Sequence, residues 1–432
     1  MENNKRSNVR WIVAGLMWAA IAINYIDRTV LSASATQITK QYGLTSAQMG
    51  ILMSGFFWSY ALLQIPAGWF ADKFGQKKTL GFAVGWWSVM TAATGLGVGF
   101  KSLLGLRVGL GVGEAGAYPS NAGITAKWFP KKERATVSGL FDSGSKFGGA
   151  VAMPLITWLI VSYGWKMTFA IIGSLGIVWT VIWLLYFKET PKEHKGVNEV
   201  ELNYIYEGMD KEEEGKKELP MKWYELLKYK NIWAMCIGFF MINYNSYFFI
   251  TWLPTYLVKE RGMNLMQMGF AASLPLICAM IAEVAAGWAS DKVYSKGMLS
   301  LTATRKLFLI IGLLMASFIG VAAFTHSAAL AVALLCIAKS GNTIAASQVW
   351  ALPGDVAPKN MTSIVAGMQN TVSNMGGVVG PIITGFIVTA TGSFVPALLF
   401  SAGLIVLGII NYVFLLGKVE RIEPKDQAYT VA

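Results

Sequence analysis

The stretch Gly68-Trp69-Phe70-Ala71-Asp72-Lys73 closes a long apolar segment, and the related stretch Gly287-Trp288-Ala289-Ser290-Asp291-Lys292 closes another one 219 residues later. Similar sequences at a fixed spacing indicate an internal repeat. Each copy ends the second apolar segment of its own half of the chain. The sequence therefore predicts two homologous halves, as in transporters that are built from parallel repeats.

The composition predicts a membrane protein. Of the 432 residues, 54% are hydrophobic and only 14% are charged, whereas about a quarter of the residues of soluble proteins are charged. The net charge of +12 does not indicate a nucleic-acid partner, because so apolar a chain has little water-facing surface for a basic groove. The cysteines Cys236, Cys278 and Cys336 lie inside apolar runs without metal-type spacing, so we expect no disulfide framework and no metal site.

About twelve stretches reach the roughly 20 apolar residues that a transmembrane helix needs. They are 11–36, 46–71, 79–100, 102–126, 134–162, 165–187, 231–258, 266–290, 304–325, 327–352, 361–390 and 393–417. The predicted fold class is therefore an all-α membrane protein with about 12 transmembrane helices in two pseudo-symmetric six-helix bundles.

Four segments follow from this pattern. Residues 1–187 are predicted to form an N-terminal six-helix bundle and residues 231–417 a C-terminal one. Residues 188–230 interrupt the hydropathy with mixed charge and are predicted to be a cytoplasmic linker. Residues 418–432 are predicted to be a cytoplasmic tail.

The basic residues predict the orientation in the membrane. If the spans alternate, most Lys and Arg residues of the loops lie on one side, together with both termini and the linker. The other side receives only Lys40, Lys101, Lys166, Lys259 and Arg261. Because cytoplasmic loops carry the excess of basic residues, we predict that both termini are cytoplasmic.

The loop after the second span carries a longer signature, Gly68-x-x-x-Asp72-x-x-Gly75-x-Lys77-Lys78. It resembles the loop signature of the major facilitator superfamily. Glycines allow close helix contacts, and an Asp with a basic pair can form a charge latch between helix ends on the cytoplasmic side. We predict that these five residues, with Asp291 of the second copy, act as a conformational latch.

Within that superfamily the chain resembles the anion:cation symporter family, especially the bacterial galactonate, glucarate and hexuronate proton symporters. The stretches Asn24-Tyr25-Ile26-Asp27-Arg28, Tyr118-Pro119-Ser120-Asn121 and Phe248-Phe249-Ile250-Thr251-Trp252-Leu253-Pro254 carry the likeness, with Arg107, Glu114-Ala115 and Ala357-Pro358-Lys359. The resemblance implies a monomer in a bacterial-type cytoplasmic (inner) membrane. It also implies proton-coupled import of an organic anion by alternating access, with protons as coupling ion and no cofactor. The substrate class is a sugar acid (hexonate, hexuronate or aldarate), or alternatively a simpler aromatic or dicarboxylic acid.

Charged residues inside the spans are the candidate proton-coupling groups, since each costs at least about 2.5 to 3.5 kcal/mol in the membrane. Arg107 and Glu114 lie two turns apart on one helix face, too far apart for a direct pair, and Asp27 on the first span can face them. Burial favours a neutral carboxyl group and a neighbouring guanidinium favours the charged one, so these three residues can form a proton relay. The alternative is a permanent salt bridge between the first and fourth spans. Members of the resembled family use the acidic residues at these two positions for proton coupling.

Arg28 is the candidate substrate-binding cation, because a guanidinium can bind a carboxylate through two parallel hydrogen bonds. Lys146 is a second candidate, but it lies four residues after Asp142 and can equally form a local ion pair with it. Lys339 can contact an anion or bond to backbone carbonyls, and Glu283 is more consistent with a structural pair. The sequence predicts no role for Lys339 or for Glu283.

Neutral polar residues are predicted to line the cavity around a hydroxyl-rich ligand. Tyr60 and Gln64 form an i,i+4 pair, as do Asn243 and Tyr247, with Tyr244 beside the second pair. The resemblance adds Ser347, Trp350 and Asn370, and Ser145, which stands where galactonate-type relatives carry a substrate-binding Gln. Each aromatic residue can instead be an anchor at the membrane interface.

Other function classes fit the sequence less well. An enzyme needs a nucleophile, base or metal site, and the only two histidines, His194 and His326, have no such constellation around them. A Gly-rich phosphate loop with Lys-Ser/Thr does not occur, which disfavours an ATP-driven pump. Two paired halves favour a carrier over a channel. The prediction is a carrier and not an enzyme.

Overall fold

The computed structural model describes residues 6–207, 223–358 and 361–422. These residues form helices and no strand. The α-helices are α1 Val9–Tyr42, α2 Ser46–Phe74, α3 Gln76–Thr94, α4 Phe100–Glu114, α5 Ala117–Trp128, α6 Lys131–Tyr186, α7 Glu199–Glu207, α8 Lys230–Thr251, α9 Leu253–Lys259, α10 Leu265–Ser295, α11 Leu301–Ala316, α12 Phe318–Phe324, α13 Ala328–Val356, α14 Thr362–Thr391 and α15 Val395–Ile410. Short 3-10 helices cover Pro191–Glu193 and Trp223–Lys228, and a π-helix covers Asn411–Leu415.

Seven helical stretches of the described residues are long and apolar enough to cross a membrane. They are Val9–Tyr42, Val151–Tyr186, Leu265–Tyr294, Leu301–Phe324, Ala328–Val356, Ile364–Thr391 and Val395–Leu415. The prediction of an all-α, multi-pass membrane protein is confirmed.

The other predicted spans are also helical, but their bounds differ from those expected. The fourth span breaks after Glu114 into α4 and α5, and the seventh breaks at Trp252 into α8 and α9. The fifth and sixth spans run together as α6, which bends at Gly164. The backbone of Gly164 has φ +79°, a left-handed conformation that only glycine adopts at no steric cost.

The chain divides into two compact units. The first unit comprises Met1–Glu213, Ile250–Ser273 and Pro381–Ala390, and the second comprises Glu214–Phe249, Leu274–Gly380 and Thr391–Ala432. Each unit is built from long helices that pack along one another.

Close helix contacts in the first unit depend on small residues. A Cβ atom on Gly144 of α6 would lie 2.5 Å from the Trp18 carbonyl oxygen of α1, and one on Gly148 would lie 2.5 Å from the Ala22 carbonyl oxygen. These glycines therefore let α6 pack directly on the backbone of α1. The contact positions the middle of α1, where Asp27 and Arg28 lie.

The second unit has an apolar core between α8, α11, α13 and α15. Gly312 of α11 and Gly341 of α13 face each other's backbone, where added Cβ atoms would collide. Leu309, Leu313 and Val349 are fully buried around this contact. The packing fixes α13, which carries Lys339, Ser347 and Trp350.

A buried ion-pair cluster joins the start of α1 to α7, which lies in the segment between the predicted bundles. The Glu201 carboxylate accepts hydrogen bonds from the Ser7 hydroxyl (2.6 Å), the Val9 N–H (3.1 Å) and the Arg10 Nη1 atom (2.8 Å). Arg10 Nε also donates to Glu133 of α6 (2.9 Å). A carboxylate at the first N–H groups of a helix satisfies donors that the helix leaves unpaired.

Replacing Glu201 by Ala is expected to destabilise the protein by about 3 to 5 kcal/mol, because the buried Arg10 guanidinium loses a charged partner. The side chains of both residues are fully buried. The measurement is thermal unfolding of the purified protein. The matched control is Glu420→Ala, which removes an exposed pair with Lys418 and is expected to leave the melting temperature close to wild type. Equal melting temperatures for the two variants would contradict the role of the cluster.

Candidate functional site

An ion pair lies at the centre of the candidate site in the first unit. Arg28 Nε of α1 donates to the Glu114 Oε2 atom at 2.6 Å. Glu114 is fully buried and the Arg28 side chain is almost so. The sequence identified both residues but assigned them separate roles, and the structure brings them into direct contact.

Packing of α4 against α2 brings Glu114 to this position. A Cβ atom on Gly111 would collide with the backbone oxygen of Phe56, so glycine is needed where the two helices touch. The Ser59 hydroxyl bridges the same contact by donating to the Val108 carbonyl oxygen at 2.6 Å. Glu114 is the last residue of α4, so its carboxylate lies at the break before α5.

Aromatic rings surround the two arginines. The Arg28 guanidinium carbon lies 4.9 Å from the ring centre of Tyr25 and 4.7 Å from those of Phe56 and Tyr60. The Arg107 guanidinium carbon lies 5.4 Å from the same Phe56 ring. Cation–π contacts of this kind are favourable where water is excluded. Phe56 therefore contacts both cations.

Asp27 and Arg107 are buried near this ion pair without strong partners of their own. Both carboxyl oxygens of Asp27 and the Nε atom of Arg107 have no hydrogen-bond partner among the described residues. Trp87 and Thr91 of α3 lie beside Asp27, but neither donates a well-formed bond to it. Asp27 interacts electrostatically with Glu114 and with Arg107. The three predicted proton-coupling residues therefore form one cluster with Arg28.

The predicted substrate-binding residues of α6 lie next to α5. The Tyr118 hydroxyl donates to Asp142 Oδ1 at 3.1 Å. Lys146 Nζ lies 4.0 Å from Asp142 Oδ2, and both side chains are well exposed. Ser145 is buried. Lys146 therefore lies within ion-pair distance of Asp142 and is also exposed enough to contact a ligand.

Two other predicted residues of the first unit lie on α2. Tyr60 is buried and stacks on Phe56, with ring centres 5.1 Å apart. Gln64 is half-buried one turn further along. Tyr60 therefore belongs to the aromatic wall around Arg28.

The second unit contains the remaining predicted substrate-binding residues. The Tyr247 hydroxyl of α8 donates to Asn374 Oδ1 of α14 at 2.9 Å. Tyr244 is buried, whereas Asn243 and Asn370 are half-buried. Ser347 of α13 donates to the Ile344 carbonyl oxygen at 2.8 Å.

Trp350 is the most exposed of the predicted substrate-binding residues of the second unit, with 52% of its surface accessible. Its ring packs edge-on against Phe239, with centres 5.3 Å apart. A large exposed aromatic side chain fits a cavity wall and fits a membrane anchor equally well.

Lys339 lies in the middle of α13 in a polar contact between α13 and α8. Its Nζ atom donates to the Ser246 hydroxyl at 2.5 Å and lies 5.4 Å from the ring centre of Phe249. Glu283 of α10 acts on it electrostatically. Nearby, Asn342 Nδ2 donates to Asn245 Oδ1 at 3.1 Å.

The predicted latch region contains a partner that the sequence did not reveal. The Glu189 carboxylate accepts the N–H groups of Gln76 (3.0 Å) and Lys77 (2.9 Å) at the start of α3, and it pairs with Lys127 Nζ at 2.6 Å. Gly75 has φ +89°, and an added Cβ would lie 2.7 Å from Glu189 Oε2. Glycine is therefore required at this turn for its conformation and for the close approach of Glu189.

The remaining residues of the predicted latch are Gly68, Asp72, Lys78 and Asp291. A Cβ atom on Gly68 would lie at an ordinary contact distance, 3.6 Å, from Pro119, and Lys78 is exposed. The side chains of Asp72 and Asp291 lie outside the described part of the chain. Their role stays a prediction.

The Glu189 contact predicts a dependence of stability on pH. Burial by itself raises the pKa of Glu189, but the Lys127 ammonium and the two N–H groups outweigh it, so the pKa lies below its usual value of 4.5. Stability from this contact is therefore fully present above about pH 4.5 and is lost as the pH falls through the lower pKa of the folded state.

Glu189→Gln is expected to reduce stability by about 1 kcal/mol at neutral pH, because the contact is partly exposed. The difference in melting temperature between variant and wild type should stay constant above pH 5 and shrink in acid. Thermal unfolding at a series of pH values checks this. A difference that does not change down to pH 3.5 would contradict the assignment.

The predicted site did not include Phe56, Tyr25, Trp87 or Glu189. Tyr25 lies within the stretch that carried the family resemblance. Phe56 and Trp87 are apolar residues in apolar helices, so their sequence pattern is that of any core residue. No group of three or more His, Cys, Asp or Glu side chains that could hold a metal occurs in the described residues.

Comparison with known proteins identifies the family. The sequence matches the Major Facilitator Superfamily over residues 17–381. The chain is 37% identical to the probable galactarate/D-glucarate transporter GudP of Bacillus subtilis, over 98% of this chain and 95% of that protein. It is 33% identical to the D-galactonate transporter of Escherichia coli O6:H1, over 96% of this chain and 97% of that protein. This protein therefore belongs to the major facilitator superfamily.

A solved structure supports the predicted fold. A bacterial homologue of the human lysosomal transporter Spinster, in an inward-facing and occupied conformation, matches with a TM-score of 0.78 at 20% identity. The match covers 94% of this chain and 96% of that one. The prediction of a major facilitator fold is confirmed.

Proposed function

We propose that this protein is a proton-coupled symporter that imports a sugar acid by alternating access. The observation that carries the proposal is the buried ion pair between Arg28 and Glu114, with Asp27 and Arg107 beside it. Ionisable side chains in transmembrane helices are costly and commonly mark ion and substrate pathways. The names of the two relatives, transporters of galactarate/D-glucarate and of D-galactonate, support a sugar acid as the class of substrate.

The ion pair couples protons to substrate by competition. Arg28 bonds to Glu114 in the structure, and a substrate carboxylate would need the same guanidinium. When Glu114 takes up a proton it loses its charge, and the guanidinium becomes available to the anion. Release of the proton restores the ion pair and expels the anion. Proton and substrate therefore bind together and leave together.

Asp27 and Arg107 are two further ionisable groups in the same cluster. Two buried carboxyl groups allow up to two protons per cycle. Each net charge that crosses the membrane is worth about 2.3 kcal/mol per 100 mV. A monoanion carried with two protons is therefore driven by the membrane potential, whereas a dianion with two protons is not.

The polar residues predicted from the sequence support a hydroxyl-rich ligand. In this proposal the residues that bind substrate are Tyr60, Gln64, Ser145, Lys146, Asn243, Tyr244, Tyr247, Ser347, Trp350 and Asn370. The second candidate is a simpler aromatic or dicarboxylic acid, which needs fewer hydroxyl partners.

The distribution of basic residues supports an inner-membrane protein with both termini in the cytoplasm. We propose that it acts as a monomer of two six-helix bundles, 1–187 and 231–417. The loop Gly68 to Lys78 and Asp291 would form the latch between helix ends.

Counterflow in proteoliposomes tests the proposal. Vesicles loaded with unlabelled sugar acid are expected to take up labelled sugar acid without any ion gradient, and the label should stay chemically unchanged. A thermal-shift screen with hexonates, hexuronates, aldarates and aromatic acids selects the substrate. Chemical conversion of the label, or exchange of aromatic acids alone, would contradict the proposal.

A further inference from the structure

Phe56 of α2 is the one described residue whose ring meets both site arginines. The guanidinium carbons of Arg28 and Arg107 lie 4.7 Å and 5.4 Å from its ring centre. The ring is almost fully buried, and it stacks on Tyr60 and meets Phe57 edge-on. Its orientation is therefore fixed by its neighbours.

The two arginines that share this ring also share a carboxylate. Glu114 is bonded to Arg28 and interacts electrostatically with Arg107. The two guanidinium groups repel each other. A ring that attracts both cations offsets part of that repulsion, and it competes with Glu114 for them.

Every charged or titratable group near Glu114 belongs to the same cluster. Those that act on Glu114 or on its partner Arg28 in the described residues are Tyr25, Asp27 and Arg28 of α1, Tyr60 of α2, Arg107 of α4 and, through Tyr25, Tyr118 of α5 and Asp142 of α6. The ring of Phe56 is the neutral group among them that contacts two cations.

We propose that Phe56 is a positioning residue for proton coupling: its ring holds the guanidinium groups of Arg28 and Arg107 and so sets how strongly they stabilise the Glu114 carboxylate. The inference rests on the proposed function, because it names how the coupling carboxylate of that function is tuned. A ring with lower electron density would attract the two guanidinium groups less strongly. They would then interact more strongly with Glu114, and its carboxylate would stay charged to a lower pH.

The test lowers the electron density of the Phe56 ring face while it leaves the shape of the ring nearly unchanged. Phenylalanine analogues with one, two and three ring fluorines are placed at position 56 of the full-length protein. The protonation of Glu114 is followed in the substrate-free protein by the infrared band of its carboxylic C=O group, which Glu114→Gln removes and Asp27→Asn does not. The same analogues at Phe169, a buried ring that meets Trp165 edge-on, are the matched control.

The expected result is a stepwise shift of the Glu114 titration midpoint toward acid as fluorines are added, by about 0.5 to 1.5 pH units in total. The analogues at Phe169 should leave the midpoint unchanged. Phe56→Leu should shift it in the same direction, even if that variant is less stable.

A midpoint that stays constant across the analogues overturns the proposal, because a ring that only fills space is insensitive to fluorination. The infrared measurement needs no substrate, so it tests the role of Phe56 separately from the proposed transport of a sugar acid. Failure of wild type to bind any sugar acid would reject the proposed function, while the midpoint shift would still decide the role of Phe56.

Discussion

Arg28→Ala is expected to weaken sugar-acid binding by about 2 to 5 kcal/mol, which corresponds to an increase in Kd of about 30-fold to several thousand-fold. The guanidinium is the cation that a substrate carboxylate can grip with two parallel bonds, and Tyr25, Phe56 and Tyr60 hold it in place. Isothermal titration of the purified protein with the substrate from the screen measures the effect.

The variant also leaves the buried Glu114 without its partner, so a second variant is needed. Arg28→Ala combined with Glu114→Gln removes the unpaired charge and should recover thermal stability without recovering binding. Arg28→Lys keeps the charge but not the planar pair of donors, and it should bind with intermediate affinity. Wild-type affinity in the double variant would show that Arg28 does not bind the substrate.

Glu114→Gln is expected to separate transport from coupling. The amide cannot carry the charge that competes for Arg28, so exchange of substrate by counterflow should continue. Accumulation driven by a pH gradient should fall to the background of empty vesicles. In wild type, affinity for the substrate should rise as the pH falls and Glu114 becomes protonated, and in the variant it should stay flat with pH.

The matched control is Glu420→Gln, which makes the same chemical change at an exposed ion pair at the C-terminal end of the described residues. It should accumulate substrate like wild type. If Glu114→Gln still concentrates substrate on a pH gradient, the assignment of Glu114 to coupling is wrong. If it loses counterflow as well, Glu114 is needed for binding and not specifically for coupling.

Hydropathy and the repeat were sufficient to predict the class of fold. Twenty or so apolar residues in lipid have few alternatives to a helix, and the recurrence of Gly68–Lys73 at Gly287–Lys292 indicated two halves. Helix breaks were harder to predict. Gly164 ends one span and starts the next within a single long helix, and an isolated glycine in an apolar run gives no signal of its own conformation.

The chemistry of the site was predictable where it depends on charge. Asp27, Arg28, Arg107 and Glu114 are conspicuous because charges are rare in lipid. Their pairing was not predictable, since which carboxylate meets Arg28 depends on the close packing of α4 on α2 at Gly111.

Contacts made by distant residues were also hidden in the sequence. Glu189 is one of many acidic residues near helix ends, yet it binds the turn at Gly75. Glu201 lies in a segment whose mixed charge predicts a linker, yet its carboxylate accepts a hydrogen bond from the Val9 N–H group at the start of α1. Only three-dimensional packing shows that these carboxylates are partners of particular N–H groups.

The most direct test of the account is whether protons enter with the substrate. Proteoliposomes containing the purified protein and a trapped pH-sensitive dye are mixed with sugar acid at equal pH inside and outside, with no other gradient. The account predicts that the vesicle interior acidifies as labelled sugar acid enters, and that Glu114→Gln abolishes the acidification. Entry of sugar acid into wild-type vesicles without any change of internal pH would contradict it.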